Sequence, residues 1–84
     1  MERIISNQNA RVKAWAKLAT KKGRQENHTY LLDGLHLVEE AVKAGAKFHA
    51  IMATEKQMAD YLPNVPHGVP AFEISEEVAK HIAG

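Results

Sequence analysis

Apolar and polar positions follow a helical period in the first part of the chain. The residues that share one face are Val12, Trp15, Ala16 and Ala19. This spacing predicts a helix over residues 6–22, with Ser6 or Asn7 as its cap and Gly23 at its end.

From residue 29 onward, short apolar runs alternate with helical patterns. The runs predict strands over residues 29–32, 48–53 and 70–74. Helical patterns begin at Gly34, Thr54 and Ser75, and all three prolines fall in a loop over residues 63–70. A helix followed by three strand–helix units predicts an α/β fold, a three-layer α/β/α sandwich with a small, mostly parallel sheet.

The ends of the later helices carry recognisable signals. Gly45 suits the end of the helix that opens after Asp33 and Gly34. Thr54 and Gln57 have the spacing of a capping box. These signals predict helix boundaries independently of the apolar pattern.

Length and composition limit the classes of protein. Eighty-four residues make one domain, residues 1–84, and the absence of cysteine excludes disulfide scaffolds and thiolate zinc sites. No apolar run is long enough to span a membrane and no signal-peptide pattern opens the chain, so we predict a cytoplasmic protein with no membrane partner.

The net charge of +1 hides an uneven distribution. Residues 1–24 hold seven basic side chains and one acidic one, a net charge of +6, whereas residues 25–84 have a net charge of −5. A basic end on a nearly neutral protein indicates a localised contact with a polyanion.

Motifs for catalysis or for cofactor and metal binding are absent from the sequence. The five glycines form neither a dinucleotide-binding motif nor a P-loop, and no two of the five histidines have the spacing of a helical zinc site. We therefore predict no catalytic residue, no bound metal and no cofactor within these residues.

A stripe of cations on the first predicted helix is the first candidate site. Its members are Lys13, Lys17, Lys21 and Arg24, the last only if the helix extends that far. No acidic residue lies between Arg3 and Arg24, whereas a merely solvated face normally mixes both signs. The stripe predicts phosphate binding. Trp15 lies on the apolar face, so we predict that it belongs to the core rather than stacking on a base.

The turn after the strand at residues 29–32 is the second candidate site. Gly34 would allow a ligand to approach the backbone, Asp33 could accept a hydrogen bond, and His36 could reach a phosphate or base edge. The alternative is structural: Asp33 caps the helix, Gly34 makes the turn and His36 is merely exposed. The residues alone leave both interpretations open.

These two features stand in an order that resembles a known family. The residues that carry the resemblance are Ser6-Asn7-Gln8-Asn9-Ala10-Arg11-Val12-Lys13, then Leu18, then Lys22-Gly23-Arg24-Gln25-Glu26, and then Tyr30-Leu31-Leu32-Asp33-Gly34-Leu35-His36-Leu37-Val38-Glu39-Glu40-Ala41. They resemble the N-terminal substrate-binding domain of the SpoU/TrmH family of RNA 2′-O-ribose methyltransferases. The match covers residues 4–44, and residues 45–84 agree in strand–helix order and size.

The resemblance implies a fold similar to the L30e/L7Ae type and an RNA partner, ribosomal or transfer RNA. It also implies that a knotted catalytic domain, absent from this chain, binds S-adenosylmethionine and forms a homodimer. Carried over by position, Asn9, Lys13, Arg24, Gly34 and His36 fall where the family contacts RNA, and Glu26 is expected to pair with Arg24 or another basic side chain and orient it. The family's usual Glu before Gly is Asp33 here, which puts a direct contact of that carboxylate with RNA in doubt.

Other functions remain compatible with the sequence. One is a free-standing L7Ae-like RNA-binding protein. Another is a protein–protein interaction module that uses the acidic part of the chain or the loop at residues 63–70. A third, a small enzyme complete in itself, lacks any motif to support it.

Overall fold

The computed structural model describes residues 1–83, in which five α-helices, three β-strands and a 3-10 helix are found. In chain order the elements are β1 (Glu2–Ile4), α1 (Ala10–Lys17), α2 (Lys21–Asn27), α3 (Leu35–Lys43), β2 (Ile51–Ala53), α4 (Glu55–Tyr61), the 3-10 helix (Leu62–Asn64), β3 (Ala71–Ile74) and α5 (Glu76–Ala83).

The three strands form a parallel sheet in the order β1-β3-β2, so β3 lies in the centre. The register pairs Ile4 with Ile74 on one side of β3, and Met52 with Phe72 on the other. Parallel neighbours require long crossovers, and each connection between strands contains at least one helix. The predicted parallel sheet is confirmed.

Helices cover both faces of the sheet. A first buried cluster joins β1 and β3 to α1 and α5; its members are Ile4, Val12, Ile74, Val78 and Ile82. A second cluster joins β2 to α3 and α4; its members are Val38, Ile51, Ala53 and Tyr61. Because successive strand residues point to opposite faces of the sheet, three short strands can contribute side chains to both buried clusters. The predicted three-layer α/β/α sandwich is confirmed.

The strands differ from the prediction in three respects. The strand predicted over residues 48–53 begins only at Ile51. Residues 29–32 form no strand: Leu31 packs against the first cluster and Leu32 against the second. Their apolar character reflects burial between the layers rather than a hydrogen-bonded ladder. The sheet instead contains β1, which has no apolar pattern because Ile4 is its one buried residue.

The predicted first helix is divided in two by residues 18–20. The Thr20 hydroxyl donates to the carbonyl of Lys17 at 2.8 Å and accepts from the amide of Gly23 at 3.0 Å. One side chain therefore closes α1 and caps α2. The start also differs, since Asn9 caps α1 rather than Ser6 or Asn7.

Gly23 lies inside α2 and does not end a helix, contrary to the prediction. The residue is buried, and a Cβ atom built on it would lie 2.0 Å from the carbonyl oxygen of Lys17. Glycine is needed here because the backbones of α1 and α2 approach too closely for any side chain.

The remaining boundaries are close to those predicted. Gly45, with φ of 74°, follows α3. The Gln57 side chain accepts from the Thr54 amide at 3.1 Å and completes the capping box of α4, and the Ser75 hydroxyl accepts from the Val78 amide at 3.1 Å at the start of α5. The turn and capping residues in the sequence thus predicted the ends of these helices correctly.

Candidate nucleic-acid interface

The seven basic side chains of residues 1–24 fall into two groups. Three form ion pairs: Arg3 with Glu73 at 3.0 Å, Arg11 with Glu2 at 2.7 Å, and Lys22 with Glu26 at 3.8 Å. Within residues 1–83, the other four make no ion pair; they are Lys13, Lys17, Lys21 and Arg24. The four unpaired cations are the same four that the sequence pattern selected.

These four cations lie on two helices, so the prediction of a single helical stripe is wrong. Lys13 and Lys17 are one turn apart on α1, whereas Lys21 and Arg24 lie on α2, beyond the break that Thr20 creates. The three lysines are exposed and Arg24 is half-buried. The basic surface is therefore two adjoining pairs of charges.

Arg24 is held in place by the end of α1. Its Nη1 atom donates to the carbonyl of Leu18 at 3.2 Å. This carbonyl follows the last turn of α1, where backbone acceptors lack helical partners. A guanidinium group has five N–H donors, so one such bond fixes its position and leaves donors for a ligand.

A shallow pocket of about 500 Å³ opens beside α2. Its lining residues are Lys21, Arg24, Gln25, His28, Thr29, Tyr30 and Leu31. The chain turns back here because His28 adopts a left-handed conformation, φ 52°, and the Thr29 amide donates to the carbonyl of Arg24 at 3.3 Å. Two cations and an exposed tyrosine thus border the same opening.

A second cavity, of about 520 Å³, adjoins this pocket and extends between residues 29–34 and β2. The residues common to both linings are Arg24, His28, Thr29, Tyr30 and Leu31. Asp33 and Gly34 also line the second cavity, together with apolar residues of both clusters. The second predicted site therefore adjoins the cations of α2.

Asp33 and Gly34 have distinct environments in the turn before α3. Gly34, with φ of 106°, occupies the cap position, where no side-chain hydrogen bond caps the helix. Asp33 is therefore not a helix cap, and its side chain is exposed. Asp33 and Tyr61 both line the second cavity. Burial, then the charge of Asp33 and then that of Asp60, raise the pKa of Tyr61 above its usual value.

The predicted residues His36 and Asn9 lie outside both cavities. His36 is exposed on the first turn of α3. Asn9 caps α1, and its Oδ1 atom accepts from the Arg11 amide at 2.8 Å. The structure therefore gathers Lys21, Arg24, Asp33 and Gly34 around adjoining cavities. Lys13 and Lys17 lie on α1, Asn9 at its cap and His36 on α3.

Comparison with known proteins identifies the chain's family. The family model for the MRM3-like substrate binding domain matches residues 9–84. The chain belongs to this family. Among curated proteins, the chain is similar to the 23S rRNA (guanosine(2553)-2'-O)-methyltransferase RlmP of Bacillus subtilis (strain 168), with 35% identity over 77 residues. The alignment covers 92% of this chain and 30% of the relative.

Membership in the MRM3-like substrate binding domain family confirms the resemblance noted in the sequence. The match includes residues 45–84, where the sequence agreed with the family only in strand–helix order and size. It concerns a substrate-binding domain, and the chain spans 30% of the length of its methyltransferase relative.

Trp15 and Tyr30 have different roles in this MRM3-like domain. Trp15 packs against the first cluster, with its ring centroid 5.5 Å from that of Phe72, which confirms the prediction of a core residue. Tyr30 is 68% exposed at the shallow pocket, although the apolar pattern predicted a strand over residues 29–32. In the sequence, the one indication of this exposure is the residue type, because a tyrosine has an aromatic ring with a polar end.

Among residues 1–83, no group of three or more His, Cys, Asp or Glu side chains could hold a metal ion. No helix of these residues is long and apolar enough to cross a membrane.

Proposed function

We propose that this substrate-binding domain binds RNA through α1, α2 and the turn at residues 33–36. It would present the RNA to an S-adenosylmethionine-dependent 2′-O-ribose methyltransferase domain of the same polypeptide. The residues proposed to contact RNA are Asn9, Lys13, Lys17, Lys21, Arg24, Asp33, Gly34 and His36.

The observation that carries this proposal is the grouping of unpaired cations on two neighbouring helices. Glu2 and Glu26 pair with Arg11 and Lys22, whereas four cations of α1 and α2 have no acidic partner among residues 1–83. Cations that release counterions from a phosphate backbone supply affinity for RNA of any sequence. Such contacts hold the strand in a defined position and orientation without reading its bases.

The relative supports a ribosomal RNA as substrate. RlmP is, by its name, a 2′-O-methyltransferase of 23S ribosomal RNA, and its similarity covers almost all of this chain. We therefore propose ribosomal rather than transfer RNA. Holding the strand in a fixed position would orient one ribose hydroxyl toward the methyl donor. A cytoplasmic location, and a homodimer formed through the catalytic domain, are further predictions of this proposal.

The shallow pocket beside α2 does not fit the methyl donor itself. S-adenosylmethionine carries a positively charged sulfonium group, which the charges of Lys21 and Arg24 at the shallow pocket would repel. The donor is therefore assigned to the catalytic domain.

The salt dependence of RNA binding tests the proposed function. If the four unpaired cations contact single-stranded RNA, the logarithm of the association constant should fall against the logarithm of salt concentration with a slope of about −3. Filter binding of the 84-residue chain to a single-stranded RNA, at several salt concentrations, measures this slope. A flat response, or no binding at low salt, would contradict the proposal.

A further inference from the structure

We propose that Tyr30 is a stacking platform for an unpaired RNA base whose neighbouring phosphates are held by Lys21 and Arg24. This inference rests on the proposed RNA-binding function and adds to it the class of contact that the shallow pocket makes.

The first observation that supports the stacking role is the exposure of Tyr30. Leu31 and Leu32, which follow it, pack against the two buried clusters, but Tyr30 remains 68% exposed. It is the more exposed of the chain's two tyrosines, since Tyr61 is 8% exposed and belongs to the second cluster. The Tyr30 ring thus has much of its surface available for contact.

The backbone around Tyr30 fixes its position beside α2. The Thr29 amide donates to the Arg24 carbonyl, and the Thr29 hydroxyl donates to the carbonyl of Asn27 at 3.0 Å. The Thr29 hydroxyl also lies 3.5 Å from Nε2 of His49, near the start of β2. The residue before Tyr30 is therefore anchored on both sides, which lowers the entropic cost of binding a ligand at the ring.

The charge beside the ring indicates what occupies the pocket. Lys21 and Arg24 line it, and no acidic residue does. Neither cation has an acidic partner among the described residues. An aromatic ring next to unpaired cations matches the two parts of a nucleotide, because the base stacks and the phosphate binds the cation. RNA is therefore favoured over a protein segment, whose backbone carries no net charge.

Variants of Tyr30 separate stacking from charge. We expect Tyr30→Ala to weaken binding of a single-stranded RNA of about eight nucleotides by about 5- to 150-fold, the range for loss of one stacked base. The slope of affinity against salt should be unchanged, since no cation is removed. Tyr30→Phe, which keeps the ring, should bind within about twofold of the original chain.

An RNA that keeps its sugar–phosphate backbone but lacks its bases provides the matched ligand control. The original chain should prefer the base-containing strand, and Tyr30→Ala should lose most of that preference. Tyr30→Leu, which keeps apolar bulk at the site, should bind like Tyr30→Ala, and thermal unfolding followed by circular dichroism checks that each variant is folded.

The outcomes distinguish this inference from the proposed function. If RNA binds with the expected salt slope but folded Tyr30→Ala and Tyr30→Leu bind as the original chain does, the stacking inference is wrong while RNA binding stands. Such a result would fit a tyrosine that contacts a protein instead. If the original chain binds no RNA at low salt, the proposed function itself fails.

Discussion

Replacing Gly23 by alanine is expected to destabilise the domain by about 3 kcal/mol or more, the upper end of the usual cost of overpacking. The added methyl group would lie 2.0 Å from the carbonyl oxygen of Lys17, so α1 and α2 would have to separate. Helix propensity predicts the opposite sign, a gain of about 1 kcal/mol for alanine over glycine inside a helix. Urea unfolding of Gly23→Ala, followed by circular dichroism, decides between the two.

Gly45→Ala is the matched control for this substitution. Gly45 has φ of 74° and nothing within 4 Å of an added Cβ atom, so alanine there meets backbone strain but no collision. The expected cost is about 1–2 kcal/mol. A Gly23→Ala variant as stable as the original chain, or less affected than Gly45→Ala, would show that the two helices do not pack as described.

The second large effect is expected from removing three lysines of the basic surface. The triple variant carries the substitutions Lys13→Gln, Lys17→Gln and Lys21→Gln. It keeps Arg24 as the one remaining member of the four unpaired cations of α1 and α2. Raising salt from about 50 to about 200 mM should weaken RNA binding by about 50-fold in the original chain but by only about threefold in this variant. Filter binding at both salt concentrations measures the difference. Arg24 is left unchanged because its bond to the Leu18 carbonyl gives it a structural role as well.

A second triple variant controls for net charge. The control replaces three exposed lysines of α3, α4 and α5; the substitutions are Lys43→Gln, Lys56→Gln and Lys80→Gln. It loses the same charge as the first variant but leaves α1 and α2 intact. Equal loss of salt dependence in the two variants would mean that overall charge, and not this surface, binds the RNA.

Much of the second half of the fold could be predicted from local signals. The capping box of Thr54 and Gln57, the glycine at 45 and the serine at 75 mark helix ends by their own hydrogen bonds or backbone angles. Such features depend on neighbouring residues, so the sequence displays them directly.

The structure of the first half was harder to predict because contacts between its secondary-structure elements and the rest of the fold determine it. The close approach of Gly23 to Lys17 makes a glycine that resembles a helix end part of a helix interior. β1 exists because β3, some seventy residues later, offers it a partner. The run at residues 29–32 has strand composition but is divided between two cores.

The charges of the candidate site could be predicted from the sequence, but their arrangement in space could not. The imbalance between residues 1–24 and the rest is visible in the sequence. The ion pair of Arg3 with Glu73 depends on the fold, so the sequence could not show that Arg3 forms an ion pair while Lys13 does not. The exposure of Tyr30 depends likewise on where Leu31 and Leu32 are buried.

The most direct test of the account is to map the RNA-binding surface by NMR. Amide resonances of the 15N-labelled chain would be followed during titration with single-stranded RNA at low salt. We expect saturable shifts in α1, α2 and residues 28–36, with α4 and residues 63–70 unaffected. Shifts concentrated in α4 or in residues 63–70, with α1 and α2 unchanged, would contradict the proposal that the unpaired cations of α1 and α2 bind RNA.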